Sequence, residues 1–148
     1  MPDQAVNSWN DAIVEDFRAH GGKITQGRIA GANLLLLTTI GARSGLPRVA
    51  PLGYDRTGES LVVVGSNAGR ESDPVWVANV RKNPNVTVEV GTEKFRARAR
   101  ITEGDERRRL LDVRIAAVPQ FGEYQKATSR ELPVVVLEPI DEPVRGRG

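Results

Sequence analysis

The chain has 148 residues, 21 of them Lys or Arg and 19 Asp or Glu, for a net charge of +2; this is room for one domain with a core, expected to span residues 1–148. So even a charge balance is not that of a dedicated nucleic-acid binder, and no run of about 18 apolar residues or basic leader suggests a membrane span or secretory signal, so the cytoplasm is the expected location. With no cysteine and one histidine, His20, thiol chemistry and Cys/His metal sites are excluded and no metal is expected, which leaves an enzyme to draw its reactive chemistry from an organic cofactor.

Ser8 is placed to cap a helix running to about His20, with Trp9, Ile13, Val14 and Phe17 on one face and Gly21-Gly22 at its end. This face is expected either to pack on the domain or to touch a membrane surface, with Asp11, Glu15 and Asp16 favouring packing. After a linker to residue 31, Leu34-Leu35-Leu36-Leu37 is a short apolar run bounded by Gly41, which reads as a buried strand. A second strand follows from about Arg48 to Tyr54, and Asp55-Arg56-Thr57-Gly58 reads as a turn. Leu61 to Val64 is a β-branched run typical of another buried strand.

Ser72-Asp73-Pro74 has the form of a helix start, with Asp73 as the cap and an end near Lys82. Val86, Val88 and Val90 alternate with polar residues, and Gly91-Thr92-Glu93 turns into Phe95 to Ile101, giving the clearest hairpin in the chain. Thr102 is placed to cap a helix reaching about Ala117, and Glu131 to Leu137 supplies the last strand. Residues 32–139 thus form the core, and residues 140–148 a frayed tail. Six strands, mostly antiparallel, with about three outer helices predict a mainly β (α+β) fold, a small barrel, because the regular strand–helix alternation of a parallel sheet is missing.

Arg43 and Arg48 flank Ser44-Gly45-Leu46-Pro47. Two arginines near a turn are often merely solvated, but a glycine-containing turn between apolar strands also suits a phosphate or carboxylate. The loop Gly65-Ser66-Asn67-Ala68-Gly69-Arg70 is either an ordinary connection or a second wall of that site. Trp76 and Asn79 share a helix face, where the tryptophan is core or else covers a planar ring beside a hydrogen-bonding amide. Tyr124 lies in a segment with little helix propensity; its hydroxyl is structural or a proton donor. Arg96, Arg98 and Arg100 stripe one strand, as a solvated face protecting a sheet edge or a surface for an acidic partner.

Taken together, the ordered set LLLTT, G-x-R-S-G-x-P-R-x-x-P-L from Gly41 to Leu52, GSNAG, P-x-W-x-x-N from Pro74 to Asn79, and Y-Q followed by Arg130 and LPVVVLEP resembles the deazaflavin-dependent nitroreductase family of actinobacteria. The resemblance implies a six-stranded antiparallel split β-barrel with peripheral helices, like the FMN-binding split barrels, and transfer of a hydride from reduced coenzyme F-420 to a quinone, enone or nitroaromatic acceptor. It implies that Arg43, Ser44 and Arg48, with Gly65, Ser66 and Asn67, hold the coenzyme's phosphate and acidic tail. The ring would lie near Pro51, Leu52, Trp76 and Asn79, and Tyr124 with Ser66 would act on the acceptor. Family members commonly carry a basic residue at the positions of Ala42 and Asn67, so this chain has fewer charges there. A fatty-acid-binding relative and an FMN-binding barrel are the alternatives, and the expected state is monomer or homodimer.

Overall fold

The computed structural model describes residues 2–27 and 30–140, with side chains of the first helix described from Asn10 onward. Seven strands form one antiparallel sheet: β1 (Leu34–Ile40), β2 (Pro47–Gly53), β3 (Asp55–Thr57), β4 (Ser60–Val64), β5 (Asn85–Val90), β6 (Glu93–Ile101) and β7 (Val134–Pro139). Their order across the sheet is β2-β1-β5-β6-β7-β4-β3. The two outermost strands, β2 and β3, are separated in the chain by Tyr54 alone, so the sheet has to curl until its edges approach, and it forms a half-barrel. Four α-helices surround it: α1 (Pro2–Ala19), α2 (Val75–Lys82), α3 (Gly104–Ala117) and α4 (Gln120–Ala127).

The continuous apolar runs follow from burial on both faces of the sheet. Leu35, Leu37, Leu61 and Val63 enter the inner core with Val88 and Leu137. Leu36, between them, packs under α1 against Ile13 and Phe17, and Val62 and Val64 meet Leu110 and Leu111 of α3. Each such fully buried side chain contributes roughly 1.5–3 kcal/mol relative to exposure.

The structure corrects several expectations. Asp55, Arg56 and Thr57 do not turn: they pair with Val62, Leu61 and Ser60, which makes a seventh strand where six were expected, and the reversal moves to Gly58 at φ +60°. Ser8 lies inside α1, which begins at Pro2, a residue suited to a first helical turn; the side chain of Trp9 lies outside the described residues. Ile13 and Phe17 are buried on the sheet with Leu36 and Val49 nearby, so this part of the helix's apolar face is not available to a membrane. Among the described residues no helix is long and apolar enough to cross one.

Thr102 is not a cap: its hydroxyl donates to the Val134 carbonyl at 2.8 Å, tying the end of β6 to β7, and α3 starts two residues later. Residues Gln120–Ala127 are helical despite their weak propensity, because Phe121 and Tyr124 pack against the outer cluster under α3 and tertiary packing overrides propensity. The arginine stripe guards no edge, since β6 is paired on both sides. Arg100 instead forks onto Glu106 at 2.7 and 3.0 Å and reaches Glu138 at 3.2 Å. That hydrogen bonding holds the Glu106 carboxyl below its ordinary range, as Arg18 does for Glu89. The tail expected at residues 140–148 lies outside the described residues except Ile140, whose amide bonds to the Arg96 carbonyl at 3.0 Å.

Candidate active site

Between β1 and β2 the chain reverses in a tight loop. The Gly41 amide donates to the Leu46 carbonyl at 2.8 Å and the Gly45 amide to the Gly41 carbonyl at 2.9 Å; the Ser44 hydroxyl oxygen accepts the Leu46 amide at 3.1 Å. Gly45 sits at φ +72°, in the left-handed region that suits glycine. A side chain at Gly41 would meet the Ser44 hydroxyl. Helix α2 grips this loop by its backbone: the Ala42 amide donates to Asn79 Oδ1 at 2.8 Å, and Lys82 Nζ donates to the Ala42 carbonyl at 2.9 Å.

This grip settles what the arginines do locally. Arg43 and Arg48 are exposed and, among the described residues, have no carboxylate or hydrogen-bond partner, and the amides of Arg43 and Ser44 have no backbone acceptor. They face a cleft of ≈ 510 Å³ between the loop and the start of α2, whose opposite wall carries Asp73, Asn79 and Arg81. That volume lies in the range of small-molecule sites. Unpaired guanidiniums beside unpaired amides are the donor set that phosphates and carboxylates take, so the residues fit a coenzyme bearing a phosphate and an acidic tail.

The second loop, after β4, is built differently. Asn67, Ala68 and Gly69 have φ of +47°, +56° and +79°, three successive residues in a region costly for side-chain-bearing residues. Arg130 compensates. Its Nε donates to the Arg70 carbonyl at 2.8 Å, one terminal nitrogen to the Ser66 carbonyl at 2.8 Å, and the other to the Gly65 carbonyl at 3.3 Å and to Asp73 Oδ1 at 2.6 Å. Asp73 therefore does not cap α2, which starts at Val75 behind Pro74 with no side-chain cap. Asn67 turns its amide inward to the Ser72 carbonyl at 3.0 Å. Gly65 is a packing position: a Cβ there would lie 2.8 Å from Val77 and 3.0 Å from Pro133.

The expected site residues thus divide. Arg43, Ser44, Arg48 and Asn79 come together around the cleft. Asn79 is buried with both ends of its amide engaged, Oδ1 by the Ala42 amide and Nδ2 by the Thr39 hydroxyl at 2.9 Å, so it positions the loop at the cleft wall. Trp76 is 6% exposed and belongs to the inner core; it does not line the cleft. Leu52 packs on the same core, whereas Val49, two residues before Pro51, faces the cluster under α1, so strand alternation sets Pro51 and Leu52 on opposite faces. Tyr124 meets Phe121 edge-on at 5.4 Å, and its helix lies against the second loop, where a Cβ on Gly69 would come within 3.0 Å of the Tyr124 carbonyl. Sequence reasoning gave no role to Lys82 and Arg81 as parts of this site, nor to Arg130, and read Asp73 as a helix cap and, through the family pattern, as a residue at the mouth of the substrate pocket. Arg130 had a signal in its place after Y-Q in the family pattern, and Asp73 in its place before the proline of P-x-W-x-x-N; Lys82 and Arg81 had none.

A family model described as F420H2-dependent quinone reductase matches residues 9–139. The chain belongs to this family. The F420H2-dependent quinone reductase Rv1261c of Mycobacterium tuberculosis is 36% identical over 132 residues, covering 86% of each chain. Among solved structures, an F420H2-dependent reductase, FDR-A, shares 36% identity over 72% of this chain and 94% of its own, with a TM-score of 0.67. Another, described as a domain-swapped dimer, shares 32% identity over 93% of this chain and 100% of its own, with a TM-score of 0.69.

Proposed function

We propose that this family member reduces a quinone at the expense of reduced coenzyme F-420. The observation that carries the reading is the pair of guanidiniums, Arg43 and Arg48, unpartnered among the described residues, over a cleft whose loop is held by Asn79 and Lys82. In the proposed complex they take the coenzyme's phosphate and acidic tail, with Ser44 and the free loop amides between them. When bound, the reduced deazaflavin supplies a hydride from C5. The hydroxyls of Ser66 and Tyr124, on adjoining elements, orient the acceptor carbonyl, and the tyrosine donates a proton to its oxygen. Relatives at this identity are described as F420H2-dependent, which favours this reading over fatty-acid or FMN binding. We further read the half-barrel as a split barrel, and the domain-swapped relative favours a homodimer.

Titration of the purified protein tests the reading. Deazaflavin fluorescence is expected to be quenched or shifted on binding, and Arg43→Ala to weaken binding about 10- to 100-fold, the loss of a charge-assisted hydrogen bond of roughly 1.5–3 kcal/mol. No complex at micromolar coenzyme would reject it. Tyr124→Phe is expected to lose most turnover with little change in coenzyme affinity; wild-type turnover would remove the tyrosine from the mechanism.

A further inference from the structure

One guanidinium in this molecule makes more contacts than any ligand-facing role would leave it. Arg130 lies between α4 and β7, and its three nitrogens bond to three carbonyls of the second loop and to one carboxylate. Its own backbone is fixed in turn: Gln125 Nε2 donates to the Arg130 carbonyl at 2.8 Å, while Gln125 Oε1 accepts from the Leu132 amide and from Arg107, each at 3.2 Å. Arg107 also donates to the Leu132 carbonyl at 3.0 Å. A continuous chain of hydrogen bonds therefore runs from α3 through Gln125 and Arg130 into the loop that carries Ser66, and ends on Asp73 at the wall of the cleft.

The direction of these bonds matters. The guanidinium takes up carbonyls of a turn whose φ values are positive at Asn67, Ala68 and Gly69. Those carbonyls, of Gly65, Ser66 and Arg70, flank the positive-φ residues on both sides, and the planar fork of arginine takes several at once where an ammonium would not. Asp73 is also approached by Arg81 at 3.9 Å, so the same carboxylate joins the loop to the far wall of the cleft.

We infer that Arg130 is a positioning residue for the reaction: it sets the Ser66 loop, and through Asp73 the start of α2, in the arrangement that the acceptor and coenzyme meet. Tyr124, six residues earlier in the chain, is carried by the helix that packs on the same loop, so Arg130 joins the two hydroxyls proposed to act on the acceptor into one rigid unit. This rests on the proposed function for its kinetic consequence but not for its structural one.

Both arms can be read on the full chain with Arg130→Gln, Arg130→Lys and Asp73→Asn. In the ligand-free protein, Arg130→Gln is expected to speed hydrogen exchange at the bonded amides of Gly69 and Arg70 while the amides of β5 and β6 stay at wild-type rates. Unchanged exchange at the loop, or equal acceleration everywhere, would overturn the inference. For quinone reduction, normalised to sites that bind coenzyme and measured well below the melting temperature, Arg130→Gln is expected to lower kcat/KM on the order of 10²-fold, the effect of misplacing a reacting group by about an ångström. Arg130→Lys should recover little of this, and Asp73→Asn, which keeps the three carbonyl bonds, should lose less. Variants that only melt earlier, with wild-type kcat and KM per site, would reduce Arg130 to a structural role. Wild-type protein that holds no coenzyme would defeat the proposed function, while the exchange result would still decide the loop.

Discussion

The two loops at the site are made of similar residues and arranged in opposite ways. Each follows a buried strand, contains glycine at positive φ and has arginine nearby. In the loop after β1 the backbone is held by neutral Asn79 and by Lys82, which leaves Arg43 and Arg48 facing the cleft. In the loop after β4 the arginine itself holds the backbone, and no charge of Arg130 is left for a ligand. Counting basic residues along a sequence therefore misjudges a site; what matters is which of them the fold has already engaged.

The glycines offer the sharpest way to break this comparison. Gly69→Ala should destabilise by about 2–4 kcal/mol, from its left-handed backbone together with overpacking, because the new Cβ would stand 3.0 Å from both Ala127 and the Tyr124 carbonyl. Gly45→Ala should cost only about 1 kcal/mol, since nothing lies within 4 Å of its Cβ position. Equal losses in denaturant titrations would mean that the two loops are not differently packed.

Asn79→Ala comes next. Removing both ends of the buried amide leaves the Ala42 amide and the Thr39 hydroxyl without that partner, an expected loss of about 1–3 kcal/mol. Coenzyme affinity should fall with it as the loop carrying Arg43 loses its clamp; a variant with lowered stability and unchanged affinity would show that the first loop needs no clamp.

The smallest effect should touch neither loop. Thr25 hydrogen bonds hold Asp16 below the ordinary carboxylate range, and Arg18 and Arg100 do the same for Glu89 and Glu106. Because the folded-state pKa is the lower one, the stability from these groups is full above the unfolded pKa and is lost as pH falls through the folded value. Melting temperature should be level near neutrality and fall below about pH 4. A decline that begins well above pH 4 would remove these carboxylates as its cause.

What the sequence made legible was local. The apolar runs of β1 and β4, the β5–β6 hairpin and the Arg43/Arg48 pair are each written in a few consecutive residues. Asn79 and Arg130 are not, because their partners lie 37 and up to 65 positions away, and spacing alone cannot say whether an amide or guanidinium is aimed at a ligand or at the chain's own backbone. Trp76 shows the same limit: its helix face was readable and the core was one of its two readings, but spacing did not decide between the core, where it lies, and a ligand's ring. For Pro51 and Leu52 a period of two already places the neighbours on opposite sides of a strand, so their side chains cannot share one face of a ring. The α4 helix was hidden because its stability comes from the cluster it covers, not from its own residues.

One consequence of the sheet order concerns the seam of the half-barrel. Every other boundary between neighbouring strands is a ladder of at least three residue pairs, whereas the outermost strands β2 and β3 are joined by covalent continuity through Tyr54 and not by a ladder between them. No strand-pairing bonds join these two margins; Arg114 of α3 braces their junction from outside, donating to the Tyr54 carbonyl and to Asp55, both at 3.4 Å. The seam of the half-barrel is thus crossed by the chain at a single residue, Tyr54.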